Sequence, residues 1–210
     1  MTNLVSDRIQ SKDDLRAFLK ADYLAQSADK LRFEQRFRKP TLRFTRALRR
    51  MEYYNRPSRR MYELPLRALA VLRLSRISVS TGISIPPGAF GKGLGLPHYG
   101  SIVVHSKARF GDFCCIQNAT NIGMQDGGVP SGGDFIYIAP GAVIFGDVHI
   151  GSRSVIGANA VLNKSVPDGT TWAGVPARQL SQTDSAPMMV PAVAALMAAV
   201  SNTGQGDIRL

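Results

Sequence analysis

A six-residue period constrains this chain more than any other feature of its sequence. Ile138, Ile144, Ile150, Ile156 and Leu162 follow one another at intervals of six. Four positions after each stands a small or β-branched residue: Ala142, Val148, Ser154, Ala160 and Val166. The same step recurs earlier at Phe90, Leu96 and Ile102, and again at Phe110, Ile116 and Ile122. The changes of phase, between 102 and 110 and between 122 and 138, mark insertions. Such a period predicts strands of two or three residues separated by tight turns, with one aliphatic side chain per six pointing inward. Three sixes close one triangular coil, and stacked coils bury a continuous aliphatic column that no single coil holds alone. The turn pairs Pro140-Gly141, Gly146-Asp147, Gly151-Ser152 and Ala158-Asn159 stand where the corners are required.

The chain divides into three parts: a helical segment over 1–80, the repeat domain over 81–180 with a glycine-rich loop at 124–137, and a tail over 181–210. Ser11 followed by Asp13 and Asp14 reads as a helix start. Leu66, Leu69 and Leu72 with Val71 and Leu74 read as an amphipathic helix over 66–79. The net charge of +11 resides in the first 80 residues, which hold 19 basic and 8 acidic side chains, while the remainder is neutral. The stretch 30–60 is the most basic part. It reads either as a solvated helical face or as a surface for an anionic partner such as membrane headgroups, an acidic glycan or an acidic protein. No zinc-finger spacing and no aromatic RNA-binding motif accompanies it, so nucleic acid is not expected.

With 210 residues, 44% of them apolar and 20% charged, the chain is long enough to bury a core and is not a disordered composition. Cys114 and Cys115 are adjacent, and neighbouring side chains on a strand point to opposite faces, so no disulfide framework is expected. That fits a reducing compartment. The first residues lack the apolar stretch of a signal peptide, and no run reaches the length needed to span a bilayer. A cytoplasmic protein follows, with peripheral contact at the inner membrane face as an extension. The apolar stretch 186–200 reads as a segment that docks on a helix, on another subunit or on a membrane.

Three motifs carry a family likeness: Leu96-Pro97-His98-Tyr99-Gly100-Ser101-Ile102, Val155-Ile156-Gly157-Ala158-Asn159-Ala160-Val161, and Ala173-Gly174-Val175-Pro176-Ala177-Arg178. Over about residues 80–180 the chain resembles the hexapeptide-repeat acyltransferases, and within them the serine acetyltransferase-like branch associated with bacterial surface polysaccharide O-acetylation. The resemblance implies a mainly β fold, a left-handed parallel β-helix preceded by an α-helical segment. It also implies a homotrimer, or a dimer of trimers, with acetyl-CoA as co-substrate between neighbouring β-helices and no metal.

On that resemblance His98 is the general base, which deprotonates an acceptor hydroxyl for direct attack on the thioester. Pro140, Ala158, Asn163, Lys164 and Arg178 take acetyl-CoA, the last two as cations for its phosphates. Tyr99, Asp126 and Asp134 are the substrate-side candidates, and Asp112, Asp126 or Asp134 would orient His98. His105 and His149 are weaker candidates, and Trp172 reads as packing at the coil end or against the adenine. The loop 124–137 reads as a surface excursion or as a flap over the acceptor.

Serine acetyltransferases of the cysteine pathway carry an Asp directly before the catalytic His and an Arg-His pair in a later loop. Here Pro97 precedes His98, and the loop reads Gly132-Gly133-Asp134-Phe135-Ile136-Tyr137. The leading expectation is therefore a sugar hydroxyl as acceptor. The alternatives are serine, a non-catalytic trimeric scaffold with a basic binding segment, and a γ-carbonic-anhydrase-like hydratase. The last would need three imidazoles to converge on one metal.

Overall fold

A computed structural model describes residues 8–26 and 38–203. Among the described residues three α-helices lead: α1 (Lys12–Gln26), α2 (Pro40–Tyr54) and α3 (Leu64–Thr81). Ser11 starts α1 as its sequence predicts. Its hydroxyl accepts the Asp14 amide at 3.0 Å, and the Asp14 carboxylate accepts the Ser11 amide at 2.8 Å. Pro40 opens α2, where its missing N–H is not needed.

Short strands then wind into a parallel β-solenoid, the β-helix that the six-residue period predicts. They are β1 (Ile83–Ser84), β2 (Ile102–Val104), β3 (Cys115–Ile116), β4 (Asn121–Gly123), β5 (Ser131–Gly132), β6 (Tyr137–Ile138), β7 (Val143–Phe145), β8 (His149–Ile150), β9 (Val155–Ile156), β10 (Val161–Leu162) and β11 (Thr171–Ala173). They form three faces. The first stacks β1, β2, β4, β7 and β10, and the second stacks β3, β6, β9 and β11. The third joins Phe90 to Phe110, Arg109 to Ser131, β5 to β8, and Ile150 to Val166. All these neighbours are parallel.

The inward positions stack as columns. On the first face Val104, Ile122, Ile144 and Leu162 lie one above another, and each is 5% exposed or less. On the second face Ile116, Ile138 and Ile156 do the same. On the third, Phe90 and Phe110 stack with ring centroids 4.9 Å apart. Above Phe110 the register places Gly132, not an aliphatic residue. A Cβ on Gly132 would lie 2.8 Å from the Phe110 ring and 2.6 Å from Ile136, so those two side chains fill the space that a larger residue would occupy.

The columns move both changes of phase. Val104, not Ile102, stands in the aliphatic column. Ile102 belongs with Ala142 and Ala160 in the neighbouring one. Eight residues therefore separate Leu96 from Val104, and the two extra ones lie in the corner 97–101 rather than after 102. The second insertion amounts to four residues. An unbroken step of six from Ile122 would make Gly128 the next inward residue, but Gly132 takes that position instead. The excursion is thus confined to 124–130, closed by the Gln125–Gly128 turn. Residues 131–137 of the glycine-rich stretch are part of the coils.

One edge of the solenoid carries a ladder of side-chain caps. The Lys92 amide donates to Asp112 at 3.0 Å, the Asp112 amide to Asp134 at 2.6 Å, the Asp134 amide to Ser152 at 3.0 Å, and the Ser152 amide to Asp168 at 2.8 Å. Each corner presents an amide that its own coil does not satisfy, and a short polar side chain from the next coil accepts it. Burial pushes the Asp112 carboxyl up, and neighbouring Asp134 adds to this, against the opposing pull of Lys92 and Arg8.

The helices are pinned to the first coil by Arg49, which is fully buried. Its guanidinium donates to Asp22 at 2.8 Å, to Glu52 at 3.0 Å, and to the carbonyls of Phe90 and Gly91 at 3.1 and 2.6 Å. Burial alone works against its charge, but Asp22 and Glu52 outweigh that and hold it protonated. Arg56 is likewise buried and bonds Glu63 through both carboxylate oxygens at 2.9 Å. Part of the basic stretch 30–60 is therefore internal rather than a solvated face, and its portion before Arg38 lies outside the described residues.

After β11 the chain turns back as β12 (Arg178–Ser181), antiparallel to it. The helix α4 (Pro191–Thr203) follows. Val193 and Met197 of α4 pack with Ala21 and Ala25 of α1 and with the stacked rings of Phe113 and Phe135. The apolar tail thus docks on the first helix of its own chain. Cys114 and Cys115 are both buried as free thiols, and burial pushes the Cys115 thiol up to about 12.

Candidate active site

His98 stands on the corner between the second and first faces. That corner, 97–101, has two residues more than its counterparts in the later coils, so it bulges. His98 is exposed and Tyr99 is 62% exposed. The base of the bulge is held by α3. Gly82 ends that helix at φ +70°, a left-handed conformation that favours glycine. A Cβ there would also press on the Gly100 backbone at 3.1 Å. The Gly100 amide donates to the Thr81 carbonyl at 2.9 Å, and the Ile102 amide to the Gly82 carbonyl at 3.1 Å. The C-terminal end of α3 therefore sits directly beneath the histidine corner.

The same edge continues down the solenoid. The Gly141 amide donates to the Asn118 carbonyl at 3.1 Å, and the Asn159 amide to the Pro140 carbonyl at 2.9 Å. The strand registers place Asn118, Pro140 and Ala158 in line. His98, Pro140 and Ala158 are thereby brought to one edge of the solenoid. Asn163 and Lys164 follow β10 and lie on the next corner, across the first face. The outward column of that face is Ser84, Val103, Asn121, Val143 and Val161. Val103 is 43% exposed and Val143 36%. Arg178 opens β12 and is exposed, its guanidinium donating to the Ala177 carbonyl at 3.1 Å.

The acidic candidates are not on the His98 edge of this chain. Asp112 and Asp134 are held in the cap ladder, on the edge at the far side of the second face. Asp126 is exposed in the 124–130 excursion, on the corner that follows the first face, with φ +52°. The expectation that these carboxylates orient His98 within one chain is corrected accordingly. A cap ladder was legible in principle: Gly111-Asp112, Gly133-Asp134 and Gly151-Ser152 repeat one pattern of glycine followed by a short acceptor. Phe135 and Ile136, which occupy the later loop, are both buried in the core.

The remaining histidines stand apart. His105 lies on the corner after the first face. His149 points outward from the third face, its Nδ1 3.0 Å from the Ser131 hydroxyl. Among the described residues no group of three or more His, Cys, Asp or Glu is placed to hold a metal ion. Trp172 packs against the end of the aliphatic core and donates to the Thr170 hydroxyl at 3.1 Å.

No family model matches the chain. It is 36% identical over 127 residues to the serine acetyltransferase of Escherichia coli K12, a match covering 57% of this chain and 45% of that one. It is 33% identical over 132 residues to the serine acetyltransferase of Mycobacterium tuberculosis, covering 60% of this chain and 58% of the relative. The chain thus spans about half the length of the curated relatives it matches. Among solved structures, a hexapeptide-repeat serine O-acetyltransferase from Brucella melitensis matches with a TM-score of 0.61 and 30% identity, over 80% of this chain and 68% of that one. With its six-residue coils and these likenesses, the chain belongs to the hexapeptide-repeat transferases, and its relatives there are serine acetyltransferases.

Proposed function

We propose that the protein is an acetyl-CoA-dependent O-acetyltransferase in which His98 is the general base. The observation that carries this reading is the edge that sets His98 on a bulged, exposed corner in line with Pro140 and Ala158. An alcohol is a poor nucleophile at neutral pH, and an imidazole within hydrogen-bond reach takes its proton as the oxygen attacks. The new C–O bond forms at the thioester carbon, the C–S bond breaks, and the proton passes from His98 to the departing CoA thiolate. Lys164 and Arg178 supply cations for the CoA phosphates. The outward valines of the first face, between the His98 edge and Lys164, suit a subunit contact. A trimer closed on that face would bring the two sets of residues together across each interface.

Serine is the first acceptor to test, because the relatives are serine acetyltransferases. A sugar hydroxyl of a surface polysaccharide is the second. It is favoured by Pro97 before His98 and by Phe135 and Ile136, two apolar residues in the loop where serine acetyltransferases of the cysteine pathway carry an Arg-His pair.

The test is CoA thiol release by the purified full chain with acetyl-CoA, comparing L-serine with a panel of saccharides. We expect His98→Asn to lose about 10²–10⁴-fold of the rate, the usual contribution of a general base. Serine-dependent release would assign the first acceptor, and saccharide-dependent release the second. Full activity in His98→Asn would overturn the proposed base. Failure of acetyl-CoA to bind would overturn the acetyltransferase reading in favour of a scaffold.

A further inference from the structure

The outer side of α3 is apolar, yet its large side chains stand open to solvent among the described residues. Ala70 and Ile77, with Leu74, form the side packed on α2 and the solenoid. A helix turns 100° per residue, which sets Ala68, Leu72 and Val79 on the opposite side. There Leu72 is 54% and Val79 84% exposed, with Leu69 at 61% beside them. Met61 and Tyr62, just before the helix, are 80% and 68% exposed. The sequence reading of α3 as amphipathic is therefore incomplete, since large apolar side chains also stand on its outer side, beside Ser75 and Arg76.

The charges around this face have one sign. Arg43, Arg50, Arg59, Arg60, Arg73 and Arg76 are exposed. The carboxylates of residues 38–81 are Glu52 and Glu63, and both are buried in ion pairs with Arg49 and Arg56. The exposed surface of α2 and α3 consequently carries no carboxylate of its own. A second copy meeting this face with its own would set arginine against arginine, which disfavours self-pairing. A lipid surface with anionic headgroups satisfies both features, since its acyl boundary accepts Leu72 and Val79 while its headgroups accept the guanidiniums. Among the described residues no helix is long and apolar enough to cross a membrane, so α3 would lie in the interface plane.

We infer that the exposed face of α3 docks the protein on an anionic membrane surface. Val79 lies two residues before Thr81, whose carbonyl holds the base of the His98 corner. Docking along α3 therefore brings that corner close to the lipid surface. The inference stands on the helical segment alone and does not depend on the acceptor.

The test is sedimentation of the full-length protein with phosphatidylcholine vesicles, with and without phosphatidylglycerol. Binding is expected only with the anionic lipid, and it should weaken as salt rises. Arg73→Gln with Arg76→Gln should weaken it about 25-fold, from roughly fivefold per cation at such a surface. Leu72→Glu with Val79→Glu should abolish it. All four side chains are on the exposed surface of the helix, so the thermal unfolding midpoint and the particle mass should be unchanged, which separates lost docking from lost folding. No sedimentation at low salt, or equal sedimentation of wild type and both variants, would overturn the inference. A smaller particle mass in Leu72→Glu/Val79→Glu would also overturn it, by assigning the face to a second copy.

Discussion

Arg49 offers the sharpest test of how the helical segment is joined to the solenoid. Arg49→Ala removes the cation between two buried carboxylates, Asp22 at 2.8 Å and Glu52 at 3.0 Å. It also strips donors from the Phe90 and Gly91 carbonyls. Removing one partner of a buried pair destabilises by about 3–5 kcal/mol, because the other charge is left unpaired in a low dielectric. The two carboxylates keep one amide each, from Leu94 at 2.8 Å and Gly88 at 2.7 Å, so they are not wholly orphaned. That places the expectation near the middle of the range, about 4 kcal/mol. With a urea slope of about 2 kcal/mol/M the unfolding midpoint falls by about 2 M. The assay is urea unfolding at fixed protein concentration, followed by far-UV circular dichroism. A triple variant, Asp22→Asn/Arg49→Met/Glu52→Gln, keeps acceptors for the Leu94 and Gly88 amides without any charge, and should recover more than half the loss. A single variant within about 1 kcal/mol of wild type, or a triple variant no better than the single one, would refute this account of the junction.

Two further predictions concern the solenoid. Ile144 is fully buried between Ile122 and Leu162, so Ile144→Ala should destabilise by about 2–5 kcal/mol in the same urea assay. A loss below about 1 kcal/mol would mean that the coils do not share one continuous core. Asp112→Asn keeps an oxygen for the Lys92 amide but removes the charge. Burial raises the Asp112 carboxyl in the native state, so the native protein holds that proton more tightly than the unfolded chain does. Its contribution to stability is therefore present at low pH and lost as pH rises through the raised native value. The stability of Asp112→Asn relative to wild type should increase between about pH 3.5 and about pH 7, and a difference that is flat or falls would refute the sign.

The site was legible in the sequence only in part. His98 is recognisable because its motif is short and contiguous, and its exposure follows from two extra residues in one corner. The acidic candidates stand away from His98 within one chain for a different reason. Asp112 and Asp134 lie within about forty residues of His98 in sequence, yet the coil carries them to another edge, where unsatisfied corner amides claim their oxygens. Phe135 and Ile136 sit in a stretch rich in glycine that reads as a loop, but Ile136 enters the solenoid core between β5 and β6, while Phe135 stacks on Phe113 beneath α1 and α4.

By itself the sequence determined the repeat. A six-residue period admits few folds, and it fixes which side chains point inward, because that choice depends only on neighbours a few residues away. Tertiary structure decided which edge each outward residue occupies. That depends on the running count of residues around the coil, and two extra at 97–101 and four more at 124–130 reset it for everything downstream. Tertiary structure also decided the fate of the charges. Arg49 meets Asp22 from a different helix and two carbonyls of the first coil, a pairing with no period to announce it. The same packing buries Glu52 and Glu63 and leaves Arg73 and Arg76 exposed beside Leu72 and Val79, so a basic sequence becomes a basic apolar surface only once the helices are assembled.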